Sequence, residues 1–103
     1  GRVMAFLSSR MGSMQDNSSG GFYIYRAAKA GLNAVVKSLS VDLEAKGIVA
    51  LALHPGWVKT DMGGRSAPLE AAESIAGLRQ VLAGVTEAHA GKFLSYLGEE
   101  IPW

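Results

Sequence analysis

Two unbroken apolar runs bracket a long helical stripe, and that arrangement leaves few folds open. Residues 3–7 (VMAFL) and 48–53 (IVALAL) contain no polar side chain. Short runs of this kind suit strands covered on both faces, as in a parallel sheet. Between them Leu32, Val36, Leu39 and Leu43 recur at helical spacing, with Val35 beside them. The spacing predicts a helix from residue 22 or 23 to about 45, with Gly47 as its C-cap. A strand, a crossover helix and a second strand form a βαβ unit, which is nearly always right-handed. Both strands then point the same way and end at one rim of the sheet.

The remainder extends this pattern. Ala71, Ile75, Leu78 and Leu82 mark the buried stripe of a second helix over about residues 69–83, which Gly84 ends. Residues 91–97 read as a last strand, with Phe93 and Tyr96 as aromatic fill. Residues 11–21 are rich in Gly, Ser, Asn and Asp and read as a loop long enough to border a pocket. The fold class is therefore α/β, in the order strand-helix-strand-helix-strand. Ser8 and Ser9 end the first strand, and His54, Pro55 and Gly56 follow the second. Open α/β sheets bind their ligands at such a rim.

Composition removes other function classes. Of the 103 residues, 49% are hydrophobic and 18% charged, which describes a core-rich globular chain. The net charge is +1, with no basic run, so neither nucleic acid nor an anionic membrane is the expected partner. There is no cysteine, which excludes disulfides and thiolate chemistry. His54 and His89 stand far apart and outside any cluster of ligands, so no metal site is expected. No segment reaches the length of a membrane span, and the N-terminal apolar run is too short for a signal peptide. A cytoplasmic location is expected.

The residues that ask for a use are Tyr25 and Lys29. They lie one helical turn apart on one face, at the start of the long helix. An ammonium fixed near a phenol favours the phenolate, and such a pair can exchange a proton with a carbonyl or alcohol oxygen. Pro55 and Gly56 allow a tight turn with exposed backbone against which a flat ligand can lie, and Thr60 adds a hydroxyl. His54 reads as a structural histidine, and Trp57 as a pocket wall or a core plug.

Together these segments resemble the second half of a classical short-chain dehydrogenase/reductase. The resemblance rests on Ser8 and Ser9, then Tyr25-x-x-x-Lys29, then Pro55-Gly56-x-x-x-Thr60, in that order and sheet context. It is closest to the C-factor-like and sniffer-like carbonyl reductases. Leu7-Ser8-Ser9-Arg10-Met11-Gly12-Ser13, His54-Pro55-Gly56-Trp57-Val58-Lys59-Thr60-Asp61-Met62-Gly63-Gly64 and the tail Gly98-Glu99-Glu100-Ile101-Pro102-Trp103 carry it. The resemblance implies the C-terminal part of a Rossmann-type doubly wound parallel sheet with an incomplete N-terminal half. It implies Tyr25 as acid/base, Lys29 on the nicotinamide ribose and Ser9 on the substrate oxygen, with Ser8 as second choice. Pro55, Gly56, Val58 and Thr60 would line the nicotinamide side. The cofactor would be NAD or NADP, with NADP favoured, and the substrate a small carbonyl or alcohol.

The Gly-rich pyrophosphate turn of the family, its residue selecting NAD or NADP, and its active-site Asn do not occur here. Residues 1–103 are therefore expected to be the catalytic portion of one dinucleotide-binding domain, cut so that a sheet edge is exposed. Family members commonly dimerise through the helix that carries Tyr25, so a homo-oligomer is expected. The alternative is a noncatalytic signalling or interaction module, C-factor-like, built on the same fold.

Overall fold

The structure, a computed structural model, describes residues 2–57 and 69–103. Three parallel strands lie in the order β1 (Arg2–Leu7), β2 (Ile48–His54) and β3 (Phe93–Ser95). β1 runs in register with β2 from Arg2 opposite Ile48 to Leu7 opposite Leu53. The first crossover is α1 (Tyr23–Leu43) and the second contains α2 (Ala71–Ala83). The α1 chain tightens into a 3-10 turn, Glu44–Lys46, before Gly47 closes it in the left-handed conformation. β3 is shorter than the alternation of residues 91–97 suggests. The chain turns at Gly98, and Ile101 pairs back onto Phe93 through a 2.7 Å backbone hydrogen bond.

β2 is the middle strand, and its side chains alternate between two cores. Ala52 faces Val36 of α1, together with Phe93 and Ile101. Val49, Leu51 and Leu53 face the other way, against Leu78 and Val81 of α2. The helices thus cover opposite faces, as a doubly wound sheet requires. The small Ala50 and Ala52 let α1 approach closely, while the larger residues fill the α2 side.

Two expectations change. β1 was expected to be covered on both faces, yet Val3, Met4 and Leu7 are exposed. It is an edge strand, with a neighbour on one side only among the described residues. The stripe of α2 is also rotated. Ile75 is 56% exposed and Leu82 is exposed, whereas Ser74 is buried and Leu78 and Val81 pack inward. Two polar and steric contacts set this rotation. Ser74 Oγ donates to the Pro55 carbonyl at 2.6 Å, and Gly77 lies so close to Tyr96 that a Cβ would sit 2.5 Å from its carbonyl oxygen. Hydrophobic spacing alone carries no record of either contact.

Candidate active site

The rim is formed by the C-terminal ends of β1 and β2 and by the N-terminal end of α1, which runs back from it. Ser8 continues the β1–β2 ladder, its N–H donating to the Leu53 carbonyl at 2.8 Å. Two residues later the chain enters a 3-10 turn, Arg10–Gly12. Ser9 caps that turn by accepting from the Met11 N–H at 3.2 Å. A hydroxyl that accepts one bond keeps its own O–H to donate. Ser8 differs: it is 5% exposed, and its hydroxyl donates to Asn33 Oδ1 at 2.6 Å. Of the two serines, Ser9 is the one with a donor left to offer.

Tyr25 is the third residue of α1 and is 38% exposed. Lys29 Nζ lies 5.8 Å from the centre of its ring, over the face, as one-turn spacing dictates. Among the described residues no carboxylate pairs with that ammonium. The entry to α1 is held without a capping side chain. Gly20, Gly21 and Phe22 all have positive φ, and Arg26 ties this turn down, donating from Nε to the Gly21 carbonyl at 3.0 Å. The same guanidinium reaches Ser19 Oγ at 3.0 Å. A cation in the first turn opposes the helix dipole, and here its guanidinium is bonded to the loop.

Residues 8–12 are joined to α1 and to β2. A Cβ on Gly12 would lie 2.9 Å from the Lys29 carbonyl carbon and 2.7 Å from Asn33 Nδ2, so the 3-10 turn rests directly on the helix. On the other side the Arg10 N–H donates to His54 Nδ1 at 3.3 Å. That bond fixes the neutral tautomer with its proton on Nε2. Burial is the main cause that lowers the His54 pKa from 6.5 to about 4; the Arg10 charge adds to it and Asp16 opposes it. Arg10 and Asp16 pair with each other at 3.1 Å. His54 is therefore a structural histidine at this rim.

Pro55 and Gly56 leave β2 at the same end. Gly56 has φ +87°, and a Cβ there would meet Leu69 Cδ2 at 2.7 Å and Tyr96 Cε1 at 2.9 Å. Gly56→Ala combines a strained backbone with an overpacked contact, and should lower stability by about 2 kcal/mol. A shift of the urea midpoint at unchanged m-value would show it; an unaltered midpoint would mean that the turn relaxes freely. Val58 and Thr60 lie outside the described residues. Trp57 is exposed and does not plug the core.

The C-terminal tail closes the loop side of the rim. Met14 N–H donates to the Trp103 carbonyl at 2.6 Å, Ser13 Oγ donates to the Pro102 carbonyl, and Trp103 stacks on Phe93 with ring centres 5.4 Å apart. An open groove of about 370 Å³ lies elsewhere, between α2 and the turn after β3, lined by Gly77, Val81, His89, Leu94 and Tyr96 among others. It contains none of the residues expected in the site. No group of metal-binding side chains occurs among the described residues, and no described helix is long and apolar enough to cross a membrane.

Sequence reasoning missed Asn33. Its signal was available: a polar residue one turn beyond Lys29, on the line through Tyr25 and Lys29, beside the apolar Leu32 and Val36.

Comparison with known proteins identifies the family of this fold. A family model described as Enoyl-(Acyl carrier protein) reductase matches residues 3–98. The C-signal of Myxococcus xanthus is 49% identical over 102 residues, covering 99% of this chain and 61% of that protein. The 1-hydroxy-2-glutathionyl-2-methyl-3-butene dehydrogenase of a Rhodococcus species is 35% identical, covering all of this chain and 47% of that protein. Among solved structures, the carbonyl reductase Sniffer of D. melanogaster superposes with a TM-score of 0.95 at 46% identity, over 98% of this chain and 41% of its own. The carbonyl reductase from chicken fatty liver, solved with NADPH bound, gives 0.91 at 37% identity, over 98% and 42%. The chain thus spans about half the length of the curated relatives it matches. Strand order, crossover helices and family match together place this chain in the short-chain dehydrogenase/reductase family, an oxidoreductase family with a Rossmann-type fold.

Proposed function

We propose that these residues form the catalytic portion of an NAD(P)-dependent oxidoreductase that interconverts a small carbonyl compound and its alcohol. The observation that carries this is the ammonium of Lys29 5.8 Å from the centre of the Tyr25 ring, on the helix against which the Ser9 turn rests. The residues fit a nicotinamide cofactor: an ammonium without a carboxylate partner among the described residues suits a ribose diol, and a half-exposed phenol stands beside it. NADP is favoured, since chicken and Pseudomonas carbonyl reductases of this fold were solved with NADPH or NADP bound. When bound, the nicotinamide supplies hydride to the carbonyl carbon.

The chain's own groups handle the oxygen. Ser9 donates its free hydroxyl hydrogen to it. Tyr25 gives its phenolic proton to that oxygen in reduction and takes the proton back in oxidation. Lys29 holds the cofactor ribose, and its charge favours the phenolate that remains. Pro55 and Gly56 line the nicotinamide side, with Val58 and Thr60 assigned the same role from their motif.

Lys29→Met should weaken NADPH binding about ten- to a hundredfold, the worth of a hydrogen bond from a charged group, and slow turnover as well. Titration of Trp fluorescence in the full encoded chain measures it. An unchanged affinity would remove the ribose contact.

A homo-oligomer through α1 belongs to the same reading, because Ala27, Gly31 and Val35 are exposed along that helix. Light scattering of Val35→Glu should then show a smaller particle than the wild type; equal masses would exclude that interface. The name of the Myxococcus relative favours a second reading, a noncatalytic signalling or interaction module. NADPH binding at micromolar concentration supports the enzyme, and a flat titration supports the module.

A further inference from the structure

We propose that Asn33 is a positioning residue for Ser9, Tyr25 and Lys29: its buried amide straps the exit of β1 to the turn of α1 that carries Lys29. The effect on catalysis rests on the reductase reading above; the strap itself rests on geometry alone.

Tyr25, Lys29 and Asn33 succeed one another at four-residue intervals, on one line along α1. Asn33 is 3% exposed and accepts the Ser8 hydroxyl at 2.6 Å. Ser8 is also anchored to β2 through its backbone. At the far end of the turn, Gly12 lies against Asn33 Nδ2 and the Lys29 backbone, and its N–H donates to the Ser9 carbonyl at 2.8 Å. Ser9 therefore sits between two ties, one at Ser8 and one at Gly12, and Asn33 takes part in both. Moving Asn33 moves the serine relative to the helix that presents the phenol and the ammonium.

Stability alone gives a poor account of this residue. Asn is a weak helix former. Its Nδ2 is fully buried and finds no hydrogen-bond partner among the described residues. An unpaired buried donor is unfavourable, and replacing both members of a buried pair by apolar groups is often neutral. An Ala–Leu pair in place of Ser8 and Asn33 would remove the orphan as well as the bond. The polar pair keeps what an apolar pair lacks, which is a directional tie of fixed length.

That contrast supplies the test. Ser8→Ala, Asn33→Leu, the double variant and Ser8→Thr are made in the full encoded chain. Each of the first two leaves one partner unpaired and lowers the urea midpoint; the double variant recovers most of that loss. Its kcat for carbonyl reduction nevertheless stays about thirtyfold or more below wild type, with KM changed by less than about threefold, the pattern of misplaced catalytic groups. Ser8→Thr, which keeps the hydroxyl, retains near-wild-type kcat. Hydrogen exchange is read in parallel. In the double variant the amides of Met11, Gly12 and Ser13 exchange about tenfold faster, while those of β2 stay protected. A double variant with wild-type kcat, or unaltered exchange at residues 11–13, overturns the proposal. If the wild type itself neither binds NADPH nor reduces any carbonyl, the reductase reading fails. Exchange then still decides the strap: acceleration at residues 11–13 upholds it and no change refutes it.

Discussion

Tyr25→Phe should lower carbonyl reduction by about a thousandfold, within the range that a positioned general acid contributes, and leave folding intact. The phenol is 38% exposed, and no hydrogen bond of its hydroxyl to another described residue holds the structure together. Removing one oxygen from a half-exposed ring opens no cavity. The ring itself remains to face the Lys29 ammonium. The variant should therefore bind NADPH with an affinity close to wild type and unfold at the same urea concentration. Loss of turnover without loss of binding is the signature of a group that acts on the reacting oxygen. Turnover within tenfold of wild type would take Tyr25 out of that role.

The second large effect concerns acid. His54 is neutral in the folded chain, with its pKa lowered to about 4 from 6.5 by burial first and by Arg10 second, against the pull of Asp16. Between those two values the unfolded chain binds the proton and the folded chain does not. Stability from this group is therefore complete above about pH 6.5, falls as pH drops towards 4, and levels off below. The full difference amounts to about 3 kcal/mol as an upper value. The geometry gives the reason: protonating Nδ1 would set a second N–H against the Arg10 N–H that now donates to it. Because that bond holds the turn beginning one residue after Ser9, acid should loosen the proposed site before the core. His54→Asn, whose amide oxygen can take the place of Nδ1, should flatten the dependence of stability on pH between 4 and 6.5. An equally steep dependence in the variant would assign the acid sensitivity to other groups.

The fold was legible because its signals are local. Unbroken apolar runs, a four-residue stripe and glycines after helix ends predicted strand, helix, strand, helix and strand, and all five elements occur. The pairing of Tyr25 with Lys29 follows from helical spacing alone. What escaped the sequence depends on contacts across it. The rotation of α2 is set by Ser74 reaching Pro55 and by Gly77 meeting Tyr96, partners 19 residues apart in each case. The tie from Ser8 to Asn33 crosses 25 residues, and that from Arg10 to His54 crosses 44. A side chain's polarity announces that it needs a partner and does not name which one. The exposure of β1 escaped its own apolar run, which taken alone reads as a strand buried on both faces.

The difference between Ser8 and Ser9 shows the same limit. Adjacent and chemically identical, they are separated only by what surrounds them. Ser8 directly follows β1, continues its ladder through its own N–H, and gives its hydroxyl hydrogen to Asn33 of α1. Ser9 begins the 3-10 turn and uses its oxygen as the cap. The resemblance favoured the second serine, and of the two it is Ser9 whose hydroxyl hydrogen is not given to another described residue.

In the proposed function one rim gathers a hydroxyl, a phenol and an ammonium for hydride chemistry at a carbonyl. Incubation of the full encoded chain with reduced cofactor carrying two deuteriums at nicotinamide C4 and a panel of aldehydes and ketones tests it most directly. Mass spectrometry should find one deuterium on the carbinol carbon of the alcohol formed, and about a thousandfold less of that alcohol per unit time when Tyr25 is replaced by Phe. Carbonyl compounds recovered unreduced, from a folded chain that has bound the cofactor, would contradict it.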